Sequence, residues 1–318
     1  MKAMWQDFAI GGVASSSRSR AFATSLLVLV ALAVLPAAAS ATPLPSSVAR
    51  NVQVKPSGTT SVSVRCPSRQ SVALAGAVVS AGSGAVPRDS VPGDGRSWTF
   101  RFTTLGGSSA GSRRARVVLR CVRLRIEQGM QEVRLRVFTG LREVTIRALS
   151  SRRVRVSCAP GFVPTGYGMD RAFRSEGGPL PAADLRLAAS VPSTGSWVFR
   201  VENAGGSDTR AALRVRCLAR TATARRGSRS LRQGLKVHTA AFSDSVGTGS
   251  SENVTHSCPA GHFSLATGHA LSANDDIFVR LASPFASRSG RWTFDHQAGG
   301  SQSVRTYLTC LSLRTSFR

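Results

Sequence analysis

Apolar and polar residues alternate along much of the chain after residue 60. The segments Val62–Cys66 (VSVRC), Val154–Cys158 (VRVSC) and Leu213–Cys217 (LRVRC) each place an apolar side chain at every second position. A period of two is typical of antiparallel strands that bury one face and expose the other. Because no convincing helical period follows residue 41, the pattern predicts an all-β protein whose cysteines lie on buried faces.

A tryptophan motif, Trp-x-Phe, occurs three times and follows the same alternation. Residues two apart in a strand point to the same side, so each Trp shares a face with its Phe. The sequence therefore predicts six aromatic side chains in sandwich cores, namely Trp98, Phe100, Trp197, Phe199, Trp292 and Phe294. On the opposite face, aligning the motifs places Asp295 of the third copy where the first two copies have Arg101 and Arg200.

The N-terminus carries a short apolar segment, Leu26–Leu35 (LLVLVALAVL), that follows Lys2, Arg18 and Arg20. A basic flank, an apolar run of this length and a small-residue exit are typical of a secretory signal peptide. We predict cleavage before Thr42 and therefore an exported protein. The alternatives are an uncleaved anchor and a buried core helix.

One unit repeats three times along the exported chain. Each copy has a Cys, a Gly ten residues later (Gly76, Gly168 and Gly268), the Trp-x-Phe motif and a second Cys. An even number of cysteines in an exported protein favours disulfides, and the repetition favours pairing within each copy. Loops of this size restrict the unfolded chain by roughly 4 kcal/mol each. The predicted pairs are Cys66 with Cys121, Cys158 with Cys217, and Cys258 with Cys310.

These markers divide the chain into a signal peptide (1–41), a short linker (42–48) and three tandem antiparallel β-sandwiches with one disulfide each (49–139, 140–233 and 234–318). We refer to the three as copies 1, 2 and 3. In immunoglobulin domains the Trp follows soon after the first Cys, whereas here it lies nearer the second. The topology, immunoglobulin-like or jelly-roll-like, therefore stays open.

The third copy, CPAGHFSLATG…SPFASRSGRWTFDHQAGGS…LTCLSL, resembles a module common in exported proteins of high-GC Gram-positive bacteria. The resemblance extends over nearly all of the exported chain, although the first copy lacks the early Gly after Cys66 and Pro67. Such modules have no assigned catalysis. The resemblance implies exported β-domains and no particular ligand.

The net charge of +26 is distributed unequally among the copies. Copies 1 and 2 each carry an excess of 11 basic residues, nearly all Arg, whereas copy 3 carries an excess of 2. A GC-rich genome favours Arg codons without functional demand, but such a bias would act on all three copies alike. The asymmetry points to a surface function. The densest stretch forms the connection between copies 2 and 3, which we interpret as a flexible linker and candidate polyanion contact containing Arg220, Arg225, Arg226, Arg229, Arg232 and Lys236.

Catalytic and metal-binding patterns do not emerge from the sequence. His256, His262 and His269 surround Cys258, but that Cys is assigned to a disulfide and the other copies lack matching histidines. The adjacent pair Asp275–Asp276 is explained by a solvated turn, and no G-x-S-x-G nucleophile motif occurs. We therefore predict no cofactor, no metal and no catalysis.

The leading hypothesis is a non-catalytic, envelope-associated binding or adhesion protein that contacts polyanions through an Arg-rich face. An anionic wall polymer, an acidic polysaccharide or an anionic lipid surface is the expected partner outside the cell. Nucleic acid is disfavoured as the designated partner because the aromatic residues do not interleave with Arg on one face. The second hypothesis is a structural spacer, and the third is a carbohydrate-active hydrolase.

Overall fold

The structure, a computed structural model, describes residues 43–56, 58–81, 85–104, 113–125, 131–170, 185–226, 229–247, 251–271, 277–284, 286–296 and 301–313. The predicted signal peptide and the Asp275–Asp276 pair lie outside these residues. Within them the chain forms twenty-one strands that pair antiparallel, so the predicted all-β class is confirmed. The described residues contain no helix long and apolar enough to cross a membrane.

Six strands in each copy pair in the same way. The first strand pairs with the sixth and the sixth with the third, while the second pairs with the fifth and the fifth with the fourth. In copy 1 these strands are β1 Pro43–Val54, β2 Thr59–Arg65, β3 Val72–Ala81, β4 Ala85–Pro92, β5 Ser97–Thr104 and β6 Arg113–Leu124.

Copies 2 and 3 reproduce this pairing. The strands of copy 2 are β8 Val137–Ile146, β9 Ser150–Ser157, β10 Phe162–Asp170, β11 Leu185–Ser193, β12 Ser196–Asn203 and β13 Thr209–Ala219. Those of copy 3 are β16 Val237–Val246, β17 Ser251–Ser257, β18 His262–Leu271, β19 Ile277–Pro284, β20 Ser289–His296 and β21 Gln302–Ser312. Three further strands, β7 Gln131–Arg134, β14 Thr221–Arg226 and β15 Arg229–Gly234, form a separate sheet.

The residues predicted as a linker, 42–48, belong mostly to the first sheet. Strand β1 begins at Pro43 and pairs with β6 over its whole length, with Pro43 opposite Leu124 and Val54 opposite Arg113. The linker prediction is therefore wrong for 43–48. Its residues (PLPSSV) alternate poorly and contain two prolines, which is why their sequence resembled a connection.

The aromatic residues of the Trp-x-Phe motifs fill the cores. All six predicted side chains have 0% exposed surface. In copy 1, Trp98 and Phe100 belong to one apolar cluster with both cysteines of the disulfide. The three predicted disulfides are all present.

The third tryptophan occupies a different core position from the other two. Trp98 lies opposite Val64, which is two residues before the first Cys of its copy, and Trp197 has the same relation to Val156. In copy 3 the residue two before Cys258 is His256, and it faces Gly290 rather than Trp292. A shift of two residues keeps a side chain on the same face of its strand, so Trp292 remains buried.

This shift corrects the predicted equivalence on the opposite face. Arg101 lies opposite Asp89 across the β4–β5 pair, and the matching position of copy 3 is Thr293, opposite Leu281. Asp295 is instead the counterpart of Glu202. Each lies opposite the second residue of the fourth strand of its copy, which is Phe278 for Asp295 and Arg186 for Glu202. The change from Arg to Asp that the alignment predicted is therefore a change from Arg to Thr.

The copies join one another through the edges of their sheets. Strand β4 of copy 1 pairs with β10 of copy 2, and β11 of copy 2 pairs with β18 of copy 3. Strand β19 of copy 3 contacts β3 of copy 1 without forming a described ladder. Each copy therefore contacts the other two, and we call the contacts interfaces 1–2, 2–3 and 3–1.

Candidate anion-binding surface

The Arg-rich connection between copies 2 and 3 is a β-hairpin rather than a flexible linker. Strands β14 and β15 pair from Thr221 opposite Gly234 to Arg226 opposite Arg229, and β7 adds a third strand. We call residues 220–236 together with β7 the basic hairpin. The side chains of Arg226 and Arg229 lie outside the described set.

The inner face of the basic hairpin is anchored by small apolar residues. Ala222 and Ala224 alternate with Thr and Arg along β14, and both are buried. Ala222 and Leu235 belong to an apolar cluster that also contains Leu74 of copy 1 and Phe263 of copy 3. The hairpin therefore covers a core to which all three copies contribute.

The outer face of the basic hairpin presents a row of arginines. Thr223 lies between Arg134 on one neighbouring strand and Arg232 on the other, and residues directly opposite each other point to the same side. Adjacent strands are about 4.8 Å apart, so the backbones of Arg134 and Arg232 are separated by roughly 10 Å. Arg225 lies two residues further along β14, and the three arginines are exposed.

A pocket of about 620 Å³ lies at the base of the basic hairpin. Four basic side chains line it, namely Arg220, Lys236, His238 and His262, together with Val163, Leu235, Val237 and Ser312. None of these eight residues is Asp or Glu. We call it the basic pocket.

The two histidines of the basic pocket contact each other directly. Their ring centroids are 4.7 Å apart with the rings nearly perpendicular. His262 donates a hydrogen bond from Nδ1 to the carbonyl of Ala260 at 3.1 Å. Burial, and then the proximity of His262, lower the pKa of His238 below its usual value. Protonating both rings is therefore unfavourable unless an anion is present.

Two arginines that add to the charge excess have a structural role. Arg216 is buried and donates to the carbonyls of Gly93 (3.1 Å) and Asp94 (2.9 Å) in copy 1. Arg120, at the equivalent position of copy 1, donates to the carbonyl of Ala286 in copy 3 at 2.6 Å. Desolvation lowers the pKa of each guanidinium to about 10. Sequence reasoning missed this role, although an Arg directly before the second Cys of copies 1 and 2 was visible.

Other arginines of copies 1 and 2 are held in ion pairs. Arg101 lies 3.5 Å from Asp89 and 3.4 Å from Asp170 of the neighbouring copy. Arg200 lies 3.1 Å from Glu202, which also pairs with Arg186. The exposed charge is therefore smaller than the sequence count suggests, and exposed arginines remain both on the basic hairpin and on β9 (Arg152, Arg153 and Arg155).

The three histidines near Cys258 point to separate places. His256 is bonded through Nε2 to Asp244 at 2.9 Å, His262 lies in the basic pocket, and His269 lies at interface 2–3. No group of three or more His, Cys, Asp or Glu residues that could hold a metal occurs in the described part of the chain.

A larger cavity of about 1000 Å³ lies where the three copies meet. Val78, Met169 and His269 occupy equivalent positions in its wall, one from each copy. The His269 ring donates from Nε2 to the carbonyl of Leu187 at 3.0 Å, and burial lowers its pKa to about 4. The imidazole is therefore neutral at pH 7 and serves the packing of this interface.

Compared with protein-family models and with curated proteins, the sequence matches none.

Proposed function

We propose that the protein is a non-catalytic exported binding protein that contacts anionic polymers of the cell envelope through the basic hairpin. The observation that carries this proposal is the exposed row of Arg134 and Arg232 on either side of Thr223, with Arg225 beside it. Arg offers a planar fork of donors that matches phosphate and carboxylate oxygens. A row of such forks on one rigid sheet suits a repeating anion better than a single small ligand.

The signal peptide predicted from the sequence and the three disulfides support a location outside the cytoplasm. Anionic wall polymers, acidic polysaccharides and anionic lipid surfaces are the polyanions available there. The backbone pairing of the hairpin adds to the proposal, because it fixes the spacing of the arginine positions before binding.

Salt-dependent retention on an immobilised anionic polymer tests the proposal. The double variant R225Q/R232Q removes two exposed arginines from the basic hairpin, and we expect it to elute at clearly lower salt than the native protein. The slope of log affinity against log salt should fall by roughly one for each phosphate contact removed.

The matched control is R153Q/R155Q, which removes the same charge from the exposed edge strand β9. We expect its elution to stay close to that of the native protein. Equal losses in the two double variants would show that retention follows total charge, and the proposal of a localised surface would be wrong.

The spacer hypothesis is less well supported by the arrangement of the copies. A spacer spans a longer distance when its units are arranged end to end, whereas here each copy contacts the other two. Deleting residues 220–236 would not separate the hypotheses cleanly, because Ala222 and Leu235 belong to a shared core. Point substitutions of exposed arginines are the better test.

A further inference from the structure

We propose that the basic pocket of Arg220, Lys236, His238 and His262 binds a phosphate group. This inference rests on the proposed function and deepens it, since the pocket would hold one phosphate of a phosphate-bearing polymer whose neighbouring charges lie along the basic hairpin. Arg220 and Lys236 are the first and last residues of that segment, so the pocket lies at the base of the hairpin whose strands carry Arg225 and Arg232.

Copy 2 carries phenylalanines at the positions that correspond to His238 and His262. Phe138 lies opposite Cys217 as His238 lies opposite Cys310, and Phe162 begins β10 as His262 begins β18. The two phenylalanine rings are 6.1 Å apart. The same backbone therefore carries an apolar pair in copy 2 and a pair of ionisable rings in copy 3.

No Asp or Glu among the residues that line the described pocket could stabilise a protonated histidine of this pair. His238 and His262 face each other, and the other charged groups around them, Arg220 and Lys236, are also cationic. With no carboxylate in the described lining, protonation of either ring adds to an existing positive field. A bound oxyanion would reverse this penalty and accept hydrogen bonds from the rings.

The arrangement of donors favours a tetrahedral oxyanion over a carboxylate. The four side chains come from different places, namely the residue after β13, the residue before β16, β16 itself and the start of β18. A carboxylate has two oxygens in one plane and is well matched by a single Arg fork. A phosphate group has oxygens in several directions and can accept from donors that approach from several sides.

Proton NMR of the histidine rings, with inorganic phosphate as the probe, tests the site. We expect saturable shifts of His238 and His262 as phosphate is added at pH 6.5, with His256 and His269 unchanged. Bound phosphate should also raise the pKa of His238, because the anion stabilises the imidazolium. Sodium acetate at matched ionic strength should cause no saturable shift.

The double variant H238F/H262F installs the pair that copy 2 already carries, so it is expected to fold. Calorimetry should show phosphate binding at least tenfold weaker than in the native protein, while R153Q/R155Q binds phosphate normally. Equal phosphate affinity in H238F/H262F and the native protein, or identical ring shifts with acetate, would overturn the site.

Failure of this site and failure of the proposed function are distinguishable. If R225Q/R232Q loses polymer retention but phosphate gives no saturable ring shift, the pocket proposal is wrong and the proposed function stands. If phosphate binds as expected but retention is unaffected by R225Q/R232Q, the pocket stands as a small-anion site and the polymer proposal is wrong.

Discussion

Interfaces 1–2 and 2–3 use the same backbone contact but differ in the side chains around it. Each joins two sheets edge to edge, through Ser90 opposite Met169 in the first and Ser190 opposite His269 in the second. In both interfaces a glycine precedes the paired residue. The backbone of Gly168 lies so close to the Ser90 carbonyl, and that of Gly268 so close to the Ser190 carbonyl, that a Cβ at either glycine would overlap the carbonyl oxygen. The comparison shows that the glycine is the common requirement, whereas the residue after it varies.

Interface 3–1 shows what happens without that glycine. Counted from the second Cys of each copy, the position of Gly168 and Gly268 is Ala77 in copy 1. Strands β19 and β3 contact each other there but form no described ladder. The Arg120 side chain bonded to Ala286 bridges this interface instead. Interface 1–2 has both a strand ladder and a buried Arg that bonds to the neighbouring copy. Interface 2–3 has only the ladder, and interface 3–1 has only the buried Arg among the described contacts.

Gly168→Ala should cause the largest loss of stability, because its methyl group would meet the Ser90 carbonyl and force β4 away from β10. Overpacking against backbone costs about 3 kcal/mol of unfolding free energy. Urea unfolding followed by tryptophan fluorescence measures it. Gly206→Ala, where nothing lies within 4 Å of the added methyl, should change stability by less than about 0.5 kcal/mol. Equal effects of the two substitutions would show that the close approach is not needed.

Arg216→Thr should be the next most costly change, since it gives interface 1–2 the residue that copy 3 has at Thr309. Two carbonyls, those of Gly93 and Asp94, would lose a charged donor, and we expect a loss of about 2 to 3 kcal/mol. Differential scanning calorimetry of this variant beside R210Q, an exposed Arg on the same strand, measures the difference. A melting temperature no lower than that of R210Q would contradict the role of Arg216.

Much of the fold within each copy could be predicted from the sequence, because strand periodicity and core aromatics are local features. The segment Val62–Cys66 and the motif at Trp98 identified buried faces without any knowledge of the partner strand. The two-residue shift of Trp292 could not be predicted, since a period of two leaves the same side chains facing inward. Only the pairing of His256 with Gly290 reveals it.

The contacts between copies and the geometry of the candidate site could not be predicted. Which sheet edges meet depends on the close backbone approach at Gly168 and Gly268. Counting from the first Cys wrongly grouped Gly76 with these two glycines. The reason is that the β-bulge in β3, between Ala73 and Ala75, comes one residue later after the first Cys than the bulge in β10, between Pro164 and Gly166. The Arg-rich segment resembled a linker because its inner face consists of small residues such as Ala222. His238 and His262 are far apart in sequence, and only the pairing of both β16 and β18 with β21 brings them together.

His269→Met, which gives interface 2–3 the residue present at Met169, should remove a pH dependence of stability. The pKa of His269 is lowered from 6.5 to about 4 in the folded protein, so the unfolded chain binds more protons between these values. Stability present above pH 6.5 is therefore lost as pH falls toward 4, by about 2 kcal/mol between pH 7.5 and pH 5.

Urea unfolding of the native protein and the His269→Met variant at both pH values isolates this contribution, because every other ionisable group is present in both proteins. We expect the variant to lose about 2 kcal/mol less than the native protein on acidification. Parallel losses in the two proteins would show that His269 is not kept neutral by burial at interface 2–3.

Ser90→Ala should give the smallest effect, and it concerns the same pair of interface strands. The indole of Trp98 donates to the Ser90 hydroxyl at 2.9 Å, and Trp197 donates to Ser190 at 2.8 Å. Copy 3 has Ala282 at this position, and its shifted Trp292 donates to the carbonyl of Gly268 instead.

Removing the Ser90 hydroxyl leaves the Trp98 indole without its acceptor, because the two-residue offset that lets Trp292 use a backbone carbonyl is absent from copy 1. One lost hydrogen bond at a partly buried site should cost about 1 kcal/mol, measured by urea unfolding beside the exposed control Ser63→Ala. If Ser90→Ala were as stable as the control, the indole would have found another acceptor. The tryptophan position would then not depend on the serine of the interface strand.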